Sequence, residues 1–522
     1  MSMKADDLVA QEQLVGQLIN SPACFDLPQE RVEHIETHIS HLLLLGERVY
    51  KIKKPVDLGF LDYSTLEKRQ RCCEEELRLN RRLAPQLYLQ VVAIGGTVDE
   101  PVIGADEGII EYALEMRRFH QDDLLSRTLP DREAIDSLAR QVADFHLAAA
   151  KVSKEMPYGR PDHVIGPMLE NFRLIRGLKQ PLFEMDRLNV LQNWTEQQST
   201  VLESNLLERY DAGHIRECHG DLHLGNITRF KGEITLFDGI EFNPNLHWID
   251  TLSDIAFLLM DLQHRGMNSA VVQLLNGYLE RTGDYAGLPL LRFYLLYRAM
   301  VRAKVSAIRA MQSGLQHDEW EQQLDEYRSY LVLAETVIRH PPASLILTHG
   351  VSGSGKSTVS GWLAEQLMAI RIRSDVERRR LFPAQGETAG SIERYSEQAT
   401  QITYNHLAGM AKELLRSGYS VIIDATCLVQ WQRELFMQLA LGQQAPVVII
   451  DCQASESLLI DRIHHRHKRG GDASEADLAV LRLQQERRQA LTSSELERTI
   501  SVDSQHFPPP GLLATVLQRL MR

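Results

Sequence analysis

The sequence predicts an α+β domain in two lobes, followed by an α/β domain built on a parallel sheet. Three observations predict it. Short strand-like runs between residues 30 and 120 give way to a mostly helical stretch that continues to about residue 338. A proline pair, Pro341 and Pro342, then ends the helical pattern, because neither residue can continue a helix. Beyond it apolar strands alternate with helices, the pattern of a parallel sheet covered on both faces. At 522 residues, 44% hydrophobic and 24% charged, the chain is long enough for more than one core and has an ordinary globular composition.

The elements follow in order. Residues 1–29 form an N-terminal segment, and residues 30–120 a first lobe. In that lobe "HLLLLGERVYKIKK" reads as a hairpin turning at Gly46. "FLDYSTLEKRQRCCEEELRLNRRLAP" reads as a helix, with Ser64 and Glu67 as a capping box and Pro85 marking its end. "LQVVAI" and "GIIEYALEMRRF" supply further strands. Residues 121–338 form a helical second lobe, interrupted by the polar loop "HGDLHLGNI" and by "GEITLFDGIEF", a short hairpin. A linker at 339–343 leads into a last domain at 344–522, with strands in "SLILTHG", "AIRIRSD", "YSVIIDAT" and "PVVIIDC".

The net charge of −13 argues against a general nucleic-acid binder, which needs a cationic face to displace counterions. No apolar run approaches the length of a membrane span, and the first residues carry no apolar signal-like core. Six cysteines without a C-x-x-C spacing are expected to be reduced, which fits a cytoplasmic protein with no membrane partner.

Chemistry concentrates in two places. "GVSGSGKS" matches G-x-x-x-x-G-K-[ST] through Gly350, Gly355, Lys356 and Ser357, after an apolar strand and before a helix. Glycines let backbone N–H groups converge on phosphate oxygens, and the helix N-terminus adds a favourable dipole. Gly353 and Thr358 complete the expected ATP-binding set; Lys356 would meet the β- and γ-phosphates, and Ser357 would ligate Mg²⁺. Asp375, at the end of the next strand, can take a proton from a substrate hydroxyl. Asp424 ends a third strand and is followed by Thr426 and Arg433. Arg462 and Arg466 lie one helical turn apart, with Arg469 beyond them, and can close over a transferring phosphoryl group as a lid. These residues resemble the P-loop kinases related to gluconate and polynucleotide kinases, over about residues 344–520, with "GGDASEADLAVL" after the lid fitting that group.

The second place is "HGDLHLGN", where Asp221 and Asn226 have the spacing of a kinase catalytic loop: an aspartate for the acceptor hydroxyl and an asparagine for Mg²⁺. Asp238 in "ITLFDGIEF" offers a second metal carboxylate. Upstream, strand alternation puts Val49, Lys51 and Lys53 on one face, and Lys51 is favoured over Lys53 as the phosphate lysine. Glu76 lies in an apolar helical stripe with Cys72, Leu79 and Leu83, and so needs a buried partner, for which Lys51 is the candidate. This set resembles the aminoglycoside phosphotransferase family over roughly residues 30–335, a kinase-like fold acting on small molecules, in which Asp250 and Asp254 match positions that support the loop. No Gly-x-Gly-x-x-Gly precedes Lys51.

The two halves together resemble bifunctional aminoglycoside phosphotransferase/ATP-binding proteins. The resemblance implies two ATP- and Mg²⁺-dependent phosphotransferase modules, each acting on a hydroxyl-bearing small molecule. Three other readings stay open. One is a nucleotide-sensing regulator, another an end kinase of nucleic acid acting near Arg378–Arg380, and the third a metal hydrolase built on His219, Asp221 and His223.

Overall fold

A run of four leucines in the first strand, together with a glycine at φ 53° in the turn, folds the first hairpin where the sequence placed it: β2 (Ser40–Leu45) pairs with β3 (Arg48–Lys53) about Gly46. The computed structural model describes residues 5–25, 31–59, 61–178, 184–311, 316–339, 341–383, 396–469 and 477–521. They divide into two compact units, and neither is continuous in sequence: one holds residues 1–261 and 293–330, the other 262–292 and 331–522.

In the first unit, β1 (Glu33–Glu36), β4 (Tyr88–Gly96), β5 (Pro101–Ile103) and β6 (Glu111–Arg117) complete an antiparallel sheet in the order β1-β2-β3-β6-β4-β5. Both its faces are covered. The helix Ala5–Asn20, within the N-terminal segment where no element was expected, buries Leu14, Val15 and Leu18 against Leu43, Leu45, Tyr50 and Ile52. The other face carries Leu44, Val49, Leu114 and Met116 with Ala84, Leu87 and Tyr88. The helix Leu66–Asn80 starts one residue later than expected. Thr65, not Ser64, caps it by accepting from Lys68 N, because the Ser64 hydroxyl is turned to Asp62 at 2.6 Å.

The second lobe is helical apart from two strand pairs: β7 (Ile215–Glu217) with β10 (Trp248–Asp250), and β8 (Ile227–Phe230) with β9 (Glu233–Leu236). The expected hairpin at "GEITLFDGIEF" is therefore displaced. Its strand β9 pairs backward with β8, which begins directly after Asn226, and "FDGIEF" is left as a loop facing "HGDLHLGN".

The second unit is a five-stranded parallel sheet: β11 (Leu345–His349), β12 (Ile370–Arg373), β13 (Val421–Asp424), β14 (Val447–Gln453) and β15 (Thr499–Asp503), in the order β12-β13-β11-β14-β15. Near-continuous apolar runs suit strands covered on both faces, and all five residues of β11 are buried. The chain order reverses about β11, which opens a crevice at the carboxyl ends of the strands. The edge strand β12 is closed by the helix Asn268–Thr282. Asn276 accepts from Arg371 N at 2.7 Å and donates to Ala369 O at 3.2 Å, and Glu280 pairs with Arg371 at 2.7 Å and Arg373 at 3.2 Å.

Candidate active sites

In the first unit, β3 projects two lysines toward one carboxylate. Lys51 Nζ lies 2.8 Å from Glu76 and 2.7 Å from Asp238, while Lys53 Nζ lies 2.6 Å from the other Glu76 oxygen and also meets Glu241. The expected Lys51–Glu76 pair is thus present, and of the two lysines Lys51 is the one that reaches Asp238. Lys53 is fully buried, enclosed by Glu76, Glu241 and the Tyr63 hydroxyl. Burial opposes charge on both lysines, but the surrounding carboxylates outweigh it and hold both ammonium groups well above their ordinary pKa. Burial also raises the Glu241 carboxyl, despite Lys53 beside it.

Asp238 has φ 61°, in the left-handed region that a non-glycine residue adopts only under constraint. The constraint is visible. Its N–H donates to the Tyr88 hydroxyl at 2.9 Å, and the next residue, Gly239, donates to Asn80 Oδ1 at 2.7 Å. Asn80 lies one turn beyond Glu76, so a single helix sets both the carboxylate that meets Lys51 and the loop that carries Asp238.

The loop "HGDLHLGN" is held from behind. The Asp254 carboxylate accepts from His219 N at 3.0 Å and Gly220 N at 2.8 Å, and Asp261 accepts from Leu224 N at 2.9 Å. Asp250, by contrast, does not touch the loop in these bonds; it takes Arg209, the Tyr294 hydroxyl and Leu252 N. Asn226 Nδ2 donates to the carbonyl of Asp221 at 3.0 Å and to its carboxylate at 2.9 Å. An amide that donates through nitrogen presents its oxygen elsewhere, so Asn226 Oδ1 and the half-exposed Asp238 carboxylate offer oxygen donors suited to a hard divalent cation. Burial raises the Asp221 carboxyl, but His223, with Nε2 at 3.4 Å, together with His219 and Arg302 brings it well below the usual carboxylate range.

The H-x-D-x-H residues do not converge as metal ligands. His219 Nε2 donates to Phe237 O at 2.9 Å, and His223 Nδ1 accepts from Gly225 N at 3.0 Å. Among the described residues, the groups of three that could hold an ion lie elsewhere.

In the second unit, the glycine-rich loop leaves the buried central strand β11, and Lys356 begins the helix Lys356–Leu367. Gly350, Gly353 and Gly355 have φ 139°, 83° and 89°. A Cβ on Gly350 would lie 2.6 Å from Cys452 O, and one on Gly355 would lie 2.7 Å from Ser504 Cβ, so only glycine permits this loop. The result is a cradle of backbone N–H groups fit for phosphate oxygens. Lys356 Nζ folds onto Val351 O at 2.8 Å.

A cavity of about 930 Å³ joins Gly353, Gly355, Lys356, Ser357 and Thr358 to Asp375, Asp424 and Arg462. Asp375 is not the last residue of its strand; β12 ends at Arg373, and Asp375 lies in the first turn of the helix Ser374–Leu381. Asp424 accepts from Ser360 Oγ at 3.0 Å. Arg462 Nη1 donates to Gly353 O at 3.1 Å and to Ser504 Oγ at 2.7 Å, so this arginine braces the loop. The side chains of Arg466 and Arg469 lie outside the described residues, as does the start of "GGDASEADLAVL". Arg433 is fully buried. It pairs with Glu495 at 2.7 Å and donates to the carbonyls of Cys427, Leu428 and Ala490, which makes it a core strut and not a cavity group.

Sequence reasoning missed Asn80, Glu241 and Asp261. The signal for Asn80 was its place one turn after Glu76 in the same helix; Glu241 had only its nearness to Asp238.

The two sites define a protein with two kinase-like modules of unrelated fold. Residues 63–294 match the Phosphotransferase enzyme family and residues 345–491 match an AAA domain family. The chain thus carries both domains, and it belongs to the family of Uncharacterized protein Rv2004c of Mycobacterium tuberculosis (strain ATCC 25618 / H37Rv), to which it is 32% identical over 86% of this chain and 89% of that protein. Similar solved structures include a choline kinase from Cryptosporidium parvum Iowa II, 13% identical over 63% of this chain and 96% of that one with a TM-score of 0.38. Another is a gluconokinase from Sinorhizobium meliloti 1021, 24% identical over 35% of this chain and 92% of that one with a TM-score of 0.24. Among the described residues, no helix is long and apolar enough to cross a membrane.

Proposed function

We propose that the chain is a bifunctional, ATP- and Mg²⁺-dependent phosphotransferase whose modules each move the γ-phosphoryl group to a hydroxyl of a small molecule. The observation that carries the reading is the position of Lys51, held between Glu76 and Asp238. Such a lysine sits between the helix carboxylate that orients it and the carboxylate that would hold metal, where nucleotide phosphates are to lie. Asp221 orients the acceptor hydroxyl and takes its proton as the bond to phosphorus forms. Its carboxylate stays ionised for this task because His223, His219 and Arg302 oppose the effect of burial.

In the second module the loop amides and Lys356 hold the triphosphate, Ser357 and Asp424 face the metal position, and Asp375 faces the acceptor. Mg²⁺, when bound, would neutralise charge on the phosphate oxygens, with Asn226 and Asp238 in the first module and Ser357 in the second among its protein ligands. Arg462, already on the loop, supplies a cation beside the phosphates. A small acceptor is favoured over a nucleic-acid end by Arg380, which is turned to Glu377 and the Glu280 carbonyl and does not line the cavity.

The test follows label from γ-labelled ATP into a metabolite extract with wild type, Asp221→Ala and Lys356→Ala. Loss of a different labelled product from each variant is the expected result. If Asp221→Ala changes no product, the first module is no kinase in this extract and a nucleotide-sensing role replaces the proposal.

A further inference from the structure

The helix Leu478–Arg487 lays one polar side chain on the glycine-rich loop. Leu481, 3% exposed, packs in a small apolar cluster with Val351, Leu428, Leu459 and Ile463. Gln484 follows one helical turn later, on the same face, and so arrives over the loop. Its Oε1 accepts from Ser352 N at 2.7 Å, and Ser352 is buried.

A backbone N–H can only donate, so the carboxamide must turn its oxygen to Ser352, which aims its –NH₂ group away from that bond. Gln484 lines the same cavity as Gly353, Lys356, Ser357 and Arg462, and its bond to Ser352 N sets the carboxamide beside the glycine-rich loop. The chain after the helix is fastened as well. Gln489 N donates to Leu428 O at 3.0 Å, Gln430 N donates to Gln489 Oε1 at 2.7 Å, and Arg433 holds both Ala490 O and Glu495. A donor mounted this way is oriented before any ligand arrives.

We infer that Gln484 binds the terminal phosphate of the nucleotide in the second module: Oε1 stays on the Ser352 amide while Nε2 donates to a γ-phosphate oxygen. The inference rests on the nucleotide reading proposed above and adds a residue that separates a triphosphate from a diphosphate. The loop amides and Lys356 keep phosphate partners in both nucleotides, Lys356 through the β-phosphate, whereas the Gln484 donors have a partner only when the third phosphate is present.

The test is calorimetric titration of the full chain with MgATP and with MgADP, counting only the binding that Lys356→Ala removes. Gln484→Glu keeps an oxygen for Ser352 but replaces the donors with an anion. It is expected to weaken MgATP binding about 10- to 100-fold and MgADP binding less than about 3-fold. Gln484→Leu, which loses both functions, is expected to weaken both nucleotides, MgATP more. Equal weakening of the two nucleotides by Gln484→Glu would make Gln484 a support of the loop and overturn the inference, as would no weakening at all. Absence of any Lys356-dependent binding in the wild type would instead overturn the nucleotide reading of this module, and the contact with it.

Discussion

Two lysines, two residues apart on β3 and both touching Glu76, are expected to separate cleanly when each is replaced by methionine. Lys53 is 1% exposed, and its loss leaves Glu241, itself 6% exposed, with the Tyr63 hydroxyl but, among the described residues, no cation in contact. Removing one partner of a buried ion pair costs about 3–5 kcal/mol, because the remaining charge is buried without compensation. For a unit of this size that lowers the melting temperature by about 5–10 °C. Lys51 differs. Its partner Asp238 is 43% exposed and can be solvated, and Glu76 retains Lys53. Lys51→Met is therefore expected to cost less, about 1–2 kcal/mol for the one Glu76 oxygen left without its donor. It should, however, remove the added melting stability that MgATP confers on the first unit, since that stability reports affinity directly. Scanning calorimetry with and without MgATP measures both quantities. The double variant Lys53→Met/Glu241→Gln should recover part of the loss by removing the stranded charge. Equal destabilisation by the two single variants, or an unchanged melting temperature for Lys53→Met, would refute the assignment of Lys53 to structure and Lys51 to phosphate.

Two further predictions concern stability alone. Arg433→Met, which strands Glu495 and takes the arginine donors from Cys427 O and Ala490 O, should destabilise the second unit by about 3–5 kcal/mol, and adding Glu495→Gln should restore part of it in a denaturant melt. His41 is 3% exposed, and burial first, then the charge of Lys54, lowers its pKa from 6.5 to about 4. Its contribution is present above pH ~6.5, where both states are neutral, and is lost as pH falls toward 4, because the unfolded chain alone takes up the proton. The first unit should lose about 3 kcal/mol across that window, and His41→Gln should flatten the slope.

The residues proposed to meet substrate and nucleotide were more legible than those that hold them. "GVSGSGKS" carries its own context of strand and helix, and Glu76 announced a partner by lying in an apolar stripe. Asp221, Asn226 and Asp238 were legible from spacing and neighbouring residue types. Their supports were not. Glu241 reads as an ordinary loop acid, and only the fold shows it closed over Lys53. Gln484 is one polar residue on a largely exposed helix, and what distinguishes it is the burial of Leu481 one turn earlier. Thr65 and Ser64 are equally good caps by type, and the choice fell to Asp62, which took the serine. The helix Asn268–Thr282 has the pattern of any amphipathic helix, so its place against β12 depended on a strand about 90 residues away.

That placement bears on how such a protein can be taken apart. The backbone passes between the two units three times, near residues 261, 292 and 330. A protease nick or an engineered start just before β11 would yield a piece that begins at β11 and lacks Asn276 and Glu280, with the outer rim of its sheet bare. Such a piece should self-associate through that rim. The phosphate-loop unit is thus no cassette that one cut could lift out or one crossover could transplant; its inheritance is bound to that of its neighbour.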